Sequence, residues 1–143
     1  MATYWDILSA VTATMRGVTG NASLRKRLAA KEGEALPLCV VAPGRGGERA
    51  KRQAFNKIVV WVYPTLVGYV ARGNGKLLLS QEFLDKREEI RDALYSFGAV
   101  DVASVYDFDL AADAPNPDWR WPDANYDACV FEAFFPSAET RDP

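Results

Sequence analysis

The sequence contains no histidine among its 143 residues. That absence excludes imidazole acid–base catalysis, Ser-His-Asp and Cys-His nucleophiles, and every metal site that uses a histidine ligand. Cysteine is scarce too, and two cysteines are too few to enclose a zinc ion. Both lie in apolar, strand-like stretches, so we expect Cys39 and Cys129 to be buried thiols rather than a disulfide or a reactive site.

Long apolar runs are absent as well. A membrane span needs roughly 18 apolar residues, and the longest stretch here, about 58–70, is interrupted by Pro64 and Gly68. The first residues have neither the basic segment nor the apolar run of a signal peptide. We therefore expect no membrane contact and a protein that is made and kept in a cytoplasm.

The composition, 49% apolar and 25% charged, is that of a globular domain, and the length predicts a single domain over residues 1–143. The charge, however, is unevenly distributed. Residues 16–57 carry a net charge of +7, and residues from Glu82 to the end carry −10. Two explanations stay open: the halves neutralise each other within one fold, or unlike surfaces of neighbouring subunits meet head to tail, the contact type that closes rings.

The first part of the chain has the pattern of a helix followed by a strand. Apolar residues recur at the 3.6-residue period over about 3–16, which predicts an amphipathic helix stopped by Gly17 and Gly20. Residues 22–30 fit either a helix or an edge strand with basic side chains. The short apolar run at 36–42 predicts a buried strand.

The middle of the chain begins with a glycine- and arginine-rich stretch, and we predict a mobile basic loop over about 43–56. β-Branched and aromatic runs at 57–62 and 66–71 predict two strands. Residues 63–65 between them predict a kink or a bulge, because proline cannot donate to a strand ladder.

A second helix is predicted to begin after Ser80 and to end at Gly98. Strands are predicted over 100–108 and 126–135, and residues 137–143 are expected to fray. This order predicts an α+β fold, with a mostly antiparallel or mixed sheet and two main helices packed on one face. The helix aromatics are expected in the core: Tyr4, Trp5, Phe83, Tyr95 and Phe97.

Two patterns with chemical potential fail on spacing. The glycine-rich stretch 44–47 lacks the lysine and hydroxyl residue that a phosphate loop requires. Carboxylates recur on the second helix and at Asp107 and Asp109, but a solvated helix and strand face explains them, because no third ligand or nucleophile stands at a suitable spacing. We expect no enzyme, no cofactor and no metal. A small carboxylate-based enzyme or ligand-binding domain built on those groups is the alternative.

Charged and aromatic loop residues are the candidates for partner contacts. Trp119 and Trp121 lie beside prolines in an acidic loop, where tryptophan is typical of interface anchors; a lid folded over the sheet is the alternative. No nucleic-acid-binding motif accompanies the basic residues, so only non-specific proximity to DNA is expected. The candidate interface residues are Arg45, Arg49, Lys51, Arg52, Trp119 and Trp121.

Several stretches, taken in order, carry a resemblance to a known family. They are YWDILSAV at 4–11, LPLCVVAP at 36–43, VYPTLV at 62–67, REEIRDAL at 87–94, and YDACVF at 126–131 with ETR at 139–141. In these stretches the chain resembles the tail-terminator and minor tail (neck) proteins of long-tailed bacteriophages and prophage-like elements. It departs from their pattern in a Gly/Arg-rich insertion where a short loop is usual.

The resemblance implies a non-enzymatic α+β structural protein of the virion. Six copies would form a ring on the head-proximal end of the tail tube, stop tube polymerisation and offer a docking surface to the head connector. The partners would be the protein itself as a homo-hexamer, the tail tube protein and the head–tail connector protein. It would assemble in the host cytoplasm and end in the tail or neck of the virion. Another neck or tail-tube ring subunit is the alternative within this class.

Overall fold

The computed structural model describes residues 3–29, 34–44, 49–52, 58–72, 80–107 and 126–140. Within these ranges the chain forms two helices and six strands. In chain order they are α1 (Tyr4–Thr19), β1 (Ala22–Leu24), β2 (Leu38–Pro43), β3 (Arg49–Arg52), β4 (Ile58–Arg72), α2 (Gln81–Phe97), β5 (Asp101–Asp107) and β6 (Tyr126–Thr140).

The six described strands belong to one mixed sheet with the order β1-β2-β4-β6-β5 and with β3 beside β4. β1 and β2 are parallel, and the other neighbouring pairs are antiparallel. β4 and β6 pair along their whole length, and on its other side β4 pairs first with β3 and then with β2. The predicted α+β fold with a mixed sheet is confirmed.

Both helices pack on the same face of the sheet. Val11 of α1 and Ile90 of α2 are fully buried in one apolar cluster that the two helices share with the strands. The Lys86 ammonium donates to the Val18 carbonyl at 3.0 Å, which ties α2 to the end of α1. The strands contribute alternate residues to this cluster, as the two-residue period of a strand requires: Cys39, Val41, Tyr63, Val67, Tyr69, Cys129, Phe131, Ala133 and Phe135.

The intervening residues of the same strands are buried on the opposite face. Val40, Val70 and Val130 are fully buried there, together with Leu28 from the bend after β1. A strand that is buried on both faces has a continuous apolar sequence rather than an alternating one. The apolar run predicted as a buried strand at 36–42 is β2, which is buried in this way from Leu38 to Ala42.

The kink or bulge predicted at residues 63–65 is wrong, because β4 is one continuous strand through Pro64. The Pro64 carbonyl accepts a hydrogen bond from the Gly44 N–H at 2.8 Å, so the proline nitrogen also faces this side of β4. There β2 has ended at Pro43 and β3 begins only at Arg49. The missing N–H of Pro64 therefore removes no bond from a regular ladder, and the strand tolerates the proline.

The helix boundaries depend on capping side chains. The Thr3 hydroxyl and the Asp6 carboxylate form a reciprocal capping box at the start of α1. The prediction that Gly17 stops this helix is wrong, since α1 continues to Thr19 and ends at Gly20, whose φ of 82° suits glycine. For α2, the Ser80 cap and the end at Gly98 are confirmed.

Three loop or terminal predictions also need correction. Part of the loop predicted at 43–56 is strand β3, because β4 extends far enough to pair with it. The strand predicted to end at Phe135 continues to Thr140 on the same long partner, so residues 137–140 do not fray from the sheet. Of the ambiguous segment 22–30, residues Ala22–Leu24 form a strand, as the edge-strand alternative required.

Candidate interaction surfaces

Three of the six candidate interface residues lie on β3. Arg49 pairs with Val62 of β4, and Lys51 and Arg52 occupy later positions of the same ladder. Arg45, Trp119 and Trp121 lie outside the described residues. The structure thus brings part of the predicted basic cluster onto one short strand, and the tryptophan prediction stays a prediction.

β3 belongs to a part of the sheet that continues past the ring contacts of both helices. At the first turn of α1, the Tyr4 ring lies 4.7 Å from the Tyr63 ring, and at the last turn of α2 the Phe97 ring lies 5.4 Å from the Phe135 ring. Tyr63 and Phe135 are paired across β4 and β6. Residues 49–52, 58–62 and 136–140 therefore continue the sheet past these ring contacts, with Trp61 still packed against the shared core, and we call them the β arm.

One edge of the described sheet is acidic and partly apolar. It consists of α2 and β5, and residues 80–107 contain seven acidic and three basic residues. Val100, Val105 and Tyr95 expose 63%, 47% and 47% of their surfaces on this side. An apolar group so exposed beside an edge strand is typical of an interaction surface. We call α2 with β5 the acidic edge.

The opposite edge of the described sheet is basic. It consists of β1 and the bend that follows, where Lys26 and Arg27 are exposed. The Arg25 guanidinium bonds the Glu34 carboxylate and the Ala29 carbonyl, which fixes the shape of this bend. Residues 3–29 contain four basic residues and one acidic residue. We call β1 with residues 25–29 the basic edge.

Trp5 lies on the same side as the basic edge. Trp5 and Arg16 are eleven residues apart, close to three helical turns, so they share one side of α1. Arg16 Nη2 donates to the Ala22 carbonyl of β1 at 3.1 Å, which identifies that side as the one facing β1. Trp5 is 68% exposed there.

The expectation that Trp5, Tyr95 and Phe97 belong to the core is therefore wrong, since their exposed fractions are 68%, 47% and 38%. In both helices a nearby aromatic contacts the sheet instead: Tyr4 contacts Tyr63, and Phe97, although partly exposed, contacts Phe135. Because successive helix residues differ in direction by about 100°, aromatics one or two positions apart cannot both face the sheet squarely. The sequence signal that could have identified Trp5 as exposed is this angular offset from Tyr4.

A cleft of about 320 Å³ lies near the start of α2, at the other end of the strands. Lys86, one of its lining residues, already bonds the Val18 carbonyl and the Glu89 carboxylate. The acidic groups expected to build a carboxylate site do not line it: Glu88 and Asp92 are exposed elsewhere on α2. Asp109 and the Asp107 side chain lie outside the described part.

Burial raises the pKa values of Cys39, Tyr69 and Asp127 on the strands. It raises the pKa of the Cys39 thiol to about 12. It also raises the pKa of the Asp127 carboxyl above its ordinary value of 3.8, and the Asp127 Oδ2 has no hydrogen-bond partner among the described groups. Cys39 and Cys129 are both buried and are not joined in a disulfide, which confirms the prediction of buried thiols.

Across the described ranges, no three cysteine, aspartate or glutamate side chains are grouped closely enough to hold a metal ion. Neither described helix has the length and apolar character that crossing a membrane requires. No protein-family model and no curated protein matches the chain. Its geometry and its charges are therefore what any functional assignment rests on.

Proposed function

We propose that the protein is a ring-forming subunit of the tail-terminator type, which caps the tail tube of a long-tailed phage and joins it to the head connector. The observation that supports this proposal most directly is the unlike charge of the two sheet edges. A ring built from one kind of subunit needs two different, complementary surfaces on every copy, because each contact is head to tail. The acidic edge and the basic edge meet that requirement.

The β arm supports the second part of the proposal. It continues the sheet past the ring contacts of both helices and carries Arg49, Lys51 and Arg52 on a single strand. A projecting, positively charged element suits a contact with a further partner, since complementary charge directs docking and fixes its orientation. In a ring-shaped cap, that partner would be the tube end or the connector.

The ring is tested by imaging the purified protein by negative-stain electron microscopy and measuring its solution mass on the same sample. Six-fold rings with a central hole are the expected result. If the sample is monomeric, the same imaging is repeated with tail tubes added, because a ring can need the tube end as a template. A compact two-fold dimer with both edges sealed in its interface would contradict the proposal.

The capping role is tested by the lengths of the tubes. Tail tubes polymerised with the protein should have one uniform length with a ring at one end, whereas tubes without it should lengthen without limit. A protein that forms rings but leaves tube length uncontrolled would be another neck or tail-tube ring subunit.

The role of the β arm is tested by reversing Arg49, Lys51 and Arg52 together to glutamate. We expect this variant to keep its circular dichroism spectrum and to lose docking or ring closure. Arg72→Glu, an exposed arginine at the other end of β4, is the control for loss of positive charge. Normal tails of normal length from the triple variant would contradict the role given to the arm.

A further inference from the structure

The two edges present their interaction groups at the same height along the strands. The Tyr4 hydroxyl at the start of α1 donates to the Pro64 carbonyl and accepts from the Gly44 N–H. Pro64 pairs with Phe134 of β6, whose carbonyl accepts from the Val100 N–H at 2.9 Å. Tyr4 and Val100 therefore mark the two ends of one row that crosses the sheet perpendicular to its strands.

Each end of this row carries an exposed apolar group. Trp5 follows Tyr4 and is 68% exposed on the side of the basic edge, and Val100 is 63% exposed at the acidic edge. Tyr95, in the last turn of α2, is an exposed aromatic of the same acidic edge. Aromatic residues that are exposed in a monomer are the usual anchors of a protein interface.

Charged groups lie near both ends of this row, basic at one edge and acidic at the other. Arg25 donates its N–H to the Val41 carbonyl near the end of β2, so the bend that carries Lys26 and Arg27 begins toward this end of the sheet. Asp101 pairs with Phe134 and so lies in the row of Val100, and Asp92 lies on α2 one turn before Tyr95. The charged residues Lys26, Arg27, Asp92 and Asp101 are all exposed.

We propose that the basic edge with Trp5 binds the acidic edge of a second copy of this chain, with Trp5 packed against Val100 and Tyr95. A rotation about an axis leaves each atom at its own height along that axis. Surfaces that are complementary at equal heights along the strands therefore fit a ring whose axis runs parallel to the strands. Net charges of +3 over residues 3–29 and −4 over residues 80–107 add attraction between the two edges.

This inference rests on the proposed ring, and its test uses charge reversal at both edges. The basic-edge variant is Lys26→Glu with Arg27→Glu, and the acidic-edge variant is Asp92→Lys with Asp101→Lys. Like charges then face each other in every contact, which costs several kcal/mol. We therefore expect each variant to assemble only at a protein concentration at least about a hundredfold higher than the wild type requires. Circular dichroism and thermal melting check that both variants are folded.

The two variants are informative together because every subunit keeps one intact edge. In a 1:1 mixture, the intact acidic edge of one variant can bind the intact basic edge of the other, and the two reversed edges are complementary with exchanged signs. Analytical ultracentrifugation should therefore show that the mixture assembles at concentrations at which each variant alone stays monomeric. The protein that carries all four reversals should form rings again, since its edges are complementary with exchanged signs.

Controls and contrary results separate this inference from the proposed function. Arg72→Glu reverses an exposed charge at the other end of β4, outside both edges, and should assemble like the wild type. If the wild type forms rings or caps tubes and both edge variants do so equally well, the assignment of the edges is wrong and the ring stands. If the four-fold variant stays monomeric while folded, the edges do not face each other. If the wild type neither assembles nor caps tubes, the proposed function fails as well.

Trp5→Ala tests the apolar part of the contact independently of charge. Trp5 is exposed, so its removal should leave the thermal stability of the monomer unchanged and raise the concentration needed for assembly by about tenfold or more. Unchanged assembly by this variant would exclude Trp5 from the interface.

Discussion

Gly44 approaches Pro64 so closely that a Cβ at position 44 would lie 2.5 Å from the Pro64 Cβ. The Gly44 N–H donates to the Pro64 carbonyl and also meets the Tyr4 hydroxyl. This contact lies where β4 changes its partner from β2 to β3 and where α1 begins. Because Gly44 has no side chain, the start of α1, the end of β2 and Pro64 can pack together.

Gly44→Ala should lower the free energy of unfolding by about 1–3 kcal/mol, because the added methyl group overlaps the rigid ring of Pro64. Chemical denaturation followed by circular dichroism measures this change. Gly17→Ala is the matched control, because Gly17 is helical and no neighbouring atom lies within 4 Å of the place its methyl group would take. Alanine there should raise stability by about 0.5–1 kcal/mol. Equal effects at both positions would contradict the close approach described for Gly44.

Thr65→Val should stabilise the protein. Thr65 is fully buried, and its hydroxyl has no hydrogen-bond partner in the described part of the chain. Thr12 is buried too, but its hydroxyl donates to the Leu8 carbonyl at 2.7 Å. Burying an unpaired hydroxyl costs more than burying a paired one. The free energy of unfolding of the Thr65→Val variant should therefore be about 1 kcal/mol higher than that of the Thr12→Val variant. The comparison fails if Thr12→Val is the more stable of the two variants.

Asp127→Asn should stabilise the fold near neutral pH. Burial raises the pKa of Asp127, so the folded state disfavours the ionised carboxylate, and removing the charge removes that penalty. The penalty is complete above the folded pKa and disappears as the pH falls below 3.8, where the acid is neutral in both states. The stability difference between variant and wild type should therefore shrink as the pH is lowered from 7 to about 3.

Urea denaturation at a series of pH values measures this difference. Asp101→Asn removes a charge from an exposed position and is the control; it should change the unfolding free energy by less than about 0.5 kcal/mol. A stability difference for Asp127→Asn that grows on acidification would contradict the burial explanation.

The native thiols should be unreactive. A pKa of about 12 leaves Cys39 almost entirely protonated at neutral pH, and both cysteines are buried. A disulfide reagent at about pH 8, near the ordinary pKa of a free thiol, should label neither in the native protein and both after denaturation. Ser96→Cys, at an exposed position of α2, supplies a reactive reference thiol. Rapid labelling of two thiols in the native wild type would show that the strands open.

The sequence was sufficient for those elements whose signals are local. Ser80 and Gly98 mark the two ends of α2, because a cap bonds backbone groups within the same turn. The long apolar runs similarly predicted β2 and parts of β4 and β6. These features depend on residues only a few positions apart.

Features that depend on distant partners were not predictable in this way. Pro64 indicated a kink, and only the position of the β2 end shows that its missing N–H faces no regular ladder. β3 was predicted as loop because four basic and small residues have no strand pattern of their own; pairing with β4 makes them a strand. The two candidate edges can be identified only from the strand order, since Trp5 and Val100 are ninety-five positions apart in the chain.

The position of β6 has a consequence for how the molecule forms during synthesis. Every residue of this strand pairs with β4 partners more than fifty positions earlier, and β5 pairs with β6 alone among the described strands. β6 is the last of the six strands to leave the ribosome, yet it lies inside the sheet. Until it emerges, β5 has no place in the sheet, and the long side of β4 stays open to pairing with other chains. The emergence of β6 therefore decides when the nascent chain can complete its sheet.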